Sequence, residues 1–145
     1  MNTPGLDLSS YVQSFSQSET TQHFFIEQNL LLRIGYILKK ILPGQHWLLL
    51  ADRTTWPLAG PAIRDTLQSA GIKTTEYIIA ESKPIASDQA VEVLRPYLVS
   101  ATAMLVIGSG SLNDIGKMAA HRTRIPYAVL ATAPSMNGYT SAIAA

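Results

Sequence analysis

The 145-residue sequence predicts an α/β fold, an open parallel sheet with flanking helices. Three observations lead there. Apolar, β-rich runs alternate with longer stretches of helical spacing. Two of the runs, residues 47–51 and 103–107, are almost wholly apolar, the pattern of strands buried on both faces. The segments between runs are long enough to be the crossovers that parallel strands require.

The elements follow in order. Residues 1–22 are rich in Ser, Thr and Gln, with Leu6, Leu8, Tyr11, Val12 and Phe15 as sizeable apolar anchors beside Met1. They read as an N-terminal arm or one loose helix, ahead of a lobe spanning 23–145. Residues 24–27 form a short first strand. A helix over 30–42 carries the stripe Leu30, Leu31, Ile34, Ile37, Leu38 and Ile41 and ends at Pro43-Gly44. The strand 47–51 ends at Asp52. A helix over 60–70 stops at Gly71, a strand covers 74–79, and a helix runs from Asp88 to Tyr97, trimmed or kinked by Pro96. Then come a strand over 103–107, a helix over 112–123 and a strand over 127–131. Five strands and four intervening helices result, without an internal repeat or a low-complexity linker.

Composition narrows the function classes. Hydrophobic residues make up 47% of the chain and charged residues 14%, enough apolar surface for a core and too little charge for a disordered segment. Single cores usually occupy roughly 100–200 residues, so one domain, or one lobe of a larger enzyme, is expected. Eleven Lys and Arg against ten Asp and Glu give a net charge of +1, no basic field for nucleic acid. The absence of cysteine excludes disulfides, thiolate metal sites and cysteine nucleophiles. No apolar run approaches the roughly 18–20 residues of a membrane span, and no secretory signal opens the chain, so the cytoplasm is the expected location.

In an open parallel sheet, ligands bind beyond the carboxyl ends of the strands. The strongest signal there is Gly108-Ser109-Gly110-Ser111, between a strand and the helix expected from Leu112. Glycines let a backbone approach an anion, and the first N–H groups of a helix point at it. Ser111 is the expected cap, with Asp114 as its capping-box partner. A tight turn with an ordinary cap is the competing reading. The pattern is not a full G-x-G-x-x-G, because Asn113 stands at the third glycine, and no acidic residue follows about 20 residues later. Asp52 instead precedes it, as a strand-end turn residue or as a contact to one end of a nucleotide. The second signal is the small, hydroxyl-rich stretch from Ala131 to Ser141, with room and donors for a flat ring.

Gly108-Ser109-Gly110-Ser111-Leu112-Asn113-Asp114-Ile115 and Thr132-Ala133-Pro134-Ser135-Met136-Asn137-Gly138-Tyr139-Thr140-Ser141, with Ile125-Pro126-Tyr127 between them, resemble the glycerol-1-phosphate dehydrogenase family. That family lies within the group of glycerol dehydrogenases, iron-type alcohol dehydrogenases and 3-dehydroquinate synthases. The resemblance implies a Rossmann-like nucleotide-binding lobe of a dehydroquinate synthase-like fold, binding NAD or NADP. It also implies a divalent metal, expected to be Zn, held by one Asp and two His of a helical C-terminal lobe. The reaction implied is hydride transfer between NAD(P)H and dihydroxyacetone phosphate. Gly108, Ser109, Gly110, Ser111 and Leu112 would cradle the pyrophosphate. Thr132, Ala133, Pro134 and Ser135 would border the nicotinamide ribose and ring, Ser141 would be a further cofactor contact, and Asp52 would lie near the adenosine ribose. Asn137 would touch the substrate, where the family commonly places Asp.

The helical lobe is not represented in the 145 residues, so the expectation is a fragment, inactive by itself, of an enzyme acting on a small phosphorylated polyol or ketone. Neither a nucleic-acid partner nor a membrane span is expected, and a homo-oligomer is compatible. A 3-dehydroquinate synthase-like or polyol dehydrogenase relative is the alternative enzyme, and a non-catalytic nucleotide-binding module the alternative class. His23, His46 and His121 lack metal-ligand spacing and read as structural or surface residues. Lys117 reads as solvated, and Trp47, Trp56 and Tyr77 read as packing residues.

Overall fold

The structure, a computed structural model, describes His23, Phe25 and residues 28–133. The expected arm, most of the expected first strand (24–27) and residues 134–145 lie outside the described residues. A 3₁₀ turn, Leu30–Leu32, leads through Arg33 into helix α1, Ile34–Ile41. Strand β1 (His46–Asp52), helix α2 (Trp56–Ser69), strand β2 (Lys73–Ile79), helix α3 (Asp88–Leu98), strand β3 (Ala103–Gly108), helix α4 (Gly110–Thr123) and strand β4 (Tyr127–Ala131) follow. The described strands form one four-stranded sheet in the order β2-β1-β3-β4, with every pair parallel.

The period of two along the central strands divides the core between the two faces of the sheet. Leu48, Leu50, Met104 and Val106 point to one face, where Val91, Leu94 and Leu98 of α3 and Leu112, Ile115 and Ala119 of α4 cover them. Trp47, Leu49, Ala51, Leu105 and Ile107 point to the other, under Ile34 and Leu38 of α1 and Ala59, Ile63 and Leu67 of α2. Burial of each large apolar side chain contributes about 1.5–3 kcal/mol, so the all-apolar interiors of β1 and β3 fix the centre of the sheet. The Trp47 indole N–H, inside this core, donates to the Pro43 carbonyl at 3.1 Å.

Several boundaries differ from the sequence reading. The helix expected over 30–42 is a 3₁₀ turn plus α1, because Asn29 takes a left-handed conformation (φ 57°) and Arg33 breaks the helical run. Helix α2 begins at Trp56, four residues before the expected Gly60. Pro57 sits in the first turn, where its missing N–H is no loss, and Gly60 leaves room for the Trp56 ring, which occupies the space of a Gly60 Cβ. Helix α3 runs through Pro96 to Leu98, and the Ser87 hydroxyl caps its start by accepting from the Ala90 N–H at 3.2 Å.

Candidate nucleotide-binding site

The order β2-β1-β3-β4 creates a switch point. The crossover after β1 passes over one face through α2 to β2, whereas the crossover after β3 passes over the other through α4 to β4. The two chain exits therefore diverge and leave a crevice at the carboxyl ends of β1 and β3. Leu50 is in register with Val106, and two residues beyond that pair stand Asp52 and Gly108. Asp52 and the glycine turn, 56 residues apart in sequence, thus border one crevice.

Gly108 ends β3 and is buried. A Cβ on it would fall on the Leu112 side chain, so glycine lets Leu112 fold back over the strand end and seal the core. Helix α4 starts at Gly110, with Ser109 as its cap residue. This corrects the expectation that Ser111 caps a helix opening at Leu112. Ser111 is an exposed residue of the first turn, Leu112 is buried, and the Ser109 side chain makes no capping hydrogen bond. Asp114 is no capping-box partner: it is only 5% exposed, turned into the protein. The Asn113 N–H donates to the Ser109 carbonyl at 3.1 Å, whereas the N–H groups of Gly110, Ser111 and Leu112 precede the first helical acceptor. Ser109 and Gly110 are half-exposed, so these donors and the positive end of the helix dipole open on the crevice and suit an anion.

The Thr132 N–H donates to the Gly108 carbonyl at 3.2 Å and so ties the exit of β4 to that of β3. Thr132 and Ala133 are half-buried beside the cradle. Pro134, Ser135, Asn137 and Ser141 lie outside the described residues.

Asp52 has a definite structural role. Its Oδ1 accepts from the N–H groups of Thr54 (2.8 Å) and Thr55 (2.7 Å), and its own N–H donates to Thr55 Oγ1 at 3.1 Å. This reciprocal turn satisfies donors at the start of α2 and turns the chain away from the crevice. Among the described residues Oδ2 has no partner, so the half-buried carboxylate keeps one oxygen for a ligand.

Several residues gain importance that the sequence pattern did not give them. Asn113 is fully buried behind the cradle, and Asp114 lies beside it. Burial pushes the Tyr127 phenol up to about 12, and the negative charge of Asp114 adds to the shift. Lys117, expected to be solvated, is half-buried; burial lowers its pKa, and Asp114 opposes the fall. Gly116 is another: its missing Cβ lets α4 lie directly on Val106 of β3. A glycine inside an otherwise helical stretch was the available signal, since it costs a helix about 1 kcal/mol unless packing demands it.

The histidines stand apart from the crevice. His46 opens β1 at the opposite end of the sheet, where its Nε2 lies 2.8 Å from Thr75 Oγ1. His23 stacks on Phe25, and His121 is exposed on α4. Among the described residues no group of three or more His, Asp or Glu could hold a metal ion. None of the described helices is long and apolar enough to cross a membrane.

A doubly wound parallel sheet with an uncapped glycine-turn helix at its switch point defines the Rossmann-like class of α/β lobes. Within that class, the iron-containing alcohol dehydrogenase family matches residues 25–145. The chain belongs to that family. It is similar to the glycerol-1-phosphate dehydrogenase (NAD(P)+) of Bacillus velezensis, with 32% identity over 101 residues, 67% of this chain and 26% of the relative. The enzyme of the same name from Bacillus subtilis is 30% identical over 113 residues, 75% of this chain and 28% of the relative. The chain therefore spans about a quarter of the length of these curated relatives. Among solved structures, glycerol dehydrogenase from Schizosaccharomyces pombe shares the fold with a TM-score of 0.67 at 23% identity, over 75% of this chain and 27% of that one. An iron-containing alcohol dehydrogenase from Thermococcus thioreducens does so with a TM-score of 0.58 at 17% identity, over 69% and 26%.

Proposed function

We propose that this chain is the NAD(P)-binding lobe of a metal-dependent glycerol-1-phosphate dehydrogenase, an oxidoreductase moving hydride between NAD(P)H and dihydroxyacetone phosphate. The observation that carries this reading is the uncapped start of α4, opening on the crevice between β1 and β3. Membership of the iron-containing alcohol dehydrogenase family and the names of the curated relatives support the reaction.

In this reading the N–H groups of Gly110, Ser111 and Leu112 hold the cofactor pyrophosphate, with Gly108 and Ser109 forming the approach. Thr132, Ala133, Pro134, Ser135 and Ser141 border the nicotinamide half, and Asn137 orients substrate through its amide. Asp52 accepts from the adenosine ribose hydroxyls, and its charge disfavours a 2′-phosphate, which inclines the site to NAD. The bound cofactor supplies or accepts the hydride; the work of the chain itself is to bind and orient that cofactor. The described residues offer no metal-ligand set, so no step through a metal is derived. The divalent metal of the whole enzyme would draw its ligands from outside this lobe, and the lobe alone is expected to be inactive.

Calorimetric titration of the chain with NADH and, separately, NADPH tests the reading, after circular dichroism shows that it is folded. NADH is expected to bind, and Gly110→Val, which puts a branched side chain at the cradle, is expected to weaken it at least about tenfold. Unchanged affinity in a folded Gly110→Val variant would remove the cradle from the site. A folded wild-type chain binding neither nucleotide would refute an autonomous cofactor lobe.

A further inference from the structure

Beside α1 lies a groove of about 350 Å³ lined by Phe25, Arg33, Tyr36, Ile37, Lys40 and Ile41. Its floor is Ile37 and Ile41, both half-buried, and its walls are Phe25 and Tyr36, 40% and 59% exposed. Apolar surface on a helix that already buries Ile34 and Leu38 against the sheet calls for a second partner. Arg33 and Lys40 line it, and among the described residues no carboxylate does.

We propose that the chain's own N-terminal segment, residues 8–15, docks in this groove as an amphipathic helix. Three features single it out. Leu8, Tyr11, Val12 and Phe15 fall at i, i+3, i+4 and i+7, the spacing of one helical face and of helix-in-groove recognition. The charged side chains of residues 1–22 are Asp7 and Glu19, with no Lys, Arg or His, which complements a rim containing Lys40. The segment also joins the groove directly, because the chain runs from it into Phe25, one of the walls. Residues 16–22 are polar and can span up to about 25 Å, whereas the eight residues of α1 measure about 12 Å. So short a tether gives an effective concentration in the millimolar range, enough for a modest intrinsic affinity to fill the groove.

Amide hydrogen exchange on the full chain tests this docking without reference to cofactor. Amides of residues 12–15, the ones with an acceptor four residues back, should exchange at least about tenfold more slowly than in an unstructured peptide, and Val12→Asp should abolish that protection. Tyr36→Asp, in the groove wall, should do the same, while undisturbed protection of β1 amides shows that the lobe remains folded. Lys40→Glu should reduce protection by a few-fold, about the effect of an exposed ion pair, and adding Asp7→Lys and Glu19→Lys should restore it. Unprotected amides in the wild type would overturn the proposal. Protection indifferent to Tyr36→Asp would place the segment elsewhere, and protection that fades on dilution would assign the groove to a second copy; both refute it.

Discussion

Gly116→Ala is the sharpest test of how α4 is seated. A Cβ at Gly116 would stand 2.3 Å from Val106 Cγ2, whereas its next neighbours, Val106 Cβ at 3.6 Å and Leu50 Cδ2 at 3.7 Å, are in ordinary contact. One methyl group is therefore the whole obstruction. Val106 is fully buried, and its β-branched side chain has little χ1 freedom, so α4 must lift instead. Overpacking of this kind costs about 1–3 kcal/mol, from which the better helix propensity of Ala returns about 1 kcal/mol. A net loss of about 1 kcal/mol is expected. In a Val106→Ala background the obstructing methyl is gone, and the same Gly116→Ala change should become stabilising by up to about 1 kcal/mol. Urea unfolding followed by circular dichroism and by the fluorescence of buried Trp47 gives the four stabilities of the cycle. Coupling below about 0.5 kcal/mol, the level of independent sites, would refute the idea that Gly116 exists to let α4 lie on β3. Because lifting α4 carries Ser109 and Gly110 away from the crevice, cofactor affinity should fall in the single variant and recover in the double.

The turn role of Asp52 and its proposed ribose contact are separable by chemistry. Asp52→Asn keeps an oxygen for the Thr54 and Thr55 N–H groups, so stability should hold within about 0.5 kcal/mol while the NADPH-to-NADH affinity ratio rises; Asp52→Ala should cost about 1 kcal/mol in urea unfolding. An unchanged ratio in Asp52→Asn would leave the carboxylate with its turn alone. Tyr127 predicts an alkaline weakness. Its folded-state value, raised from 10.0 to about 12, keeps the proton on the native protein after the unfolded chain has begun to release it. The stabilisation is complete below about pH 10 and is lost as pH rises through about 12, so the urea midpoint should fall across that window and fall less in Tyr127→Phe. Tyr77, whose phenol is also raised by burial, supplies the slope that remains.

The two central strands were legible because a strand buried on both faces leaves an unmistakable apolar run, and the half-buried edge strand β4 because its five residues are apolar. Tyr127–Ala131 matches its predicted bounds, and Ala103–Gly108 and His46–Asp52 differ from theirs by one or two residues. Helix starts were harder to read: α3 opens at the expected Asp88, but the starts of α2 and α4 were missed beside Pro and Gly. Residues 57–61 hold two prolines and a glycine, and the sequence reading opens the helix only at Gly60, but the Asp52–Thr55 turn leads the chain into it at Trp56, whose ring uses the space at Gly60. Composition carries no record of such tertiary use. The crevice was legible in outline: strand ends located Asp52, Gly108 and Thr132, while their approach to one another depends on the strand order. That order follows from which face each helix covers, and several assignments of α2 and α3 fit the same pattern of apolar residues.

The imperfect glycine fingerprint has a physical resolution. In the G-x-G-x-x-G pattern the third glycine permits close packing of helix on strand, and Asn113 occupies that place. Asn113 nevertheless lies fully buried, and residue 116, three positions on, falls on the same helical face. There the Cβ is missing and α4 meets Val106. The close contact has moved one turn along the helix, which frees position 113 for a buried polar side chain directly behind the cradle. In the proposed reading the cradle needs a near approach of α4 to β3 and an uncapped helix start, which Gly108, Gly110 and Gly116 would supply. The spacing of the glycines is therefore a weaker guide to an anion cradle than the depth at which the helix lies on its strand.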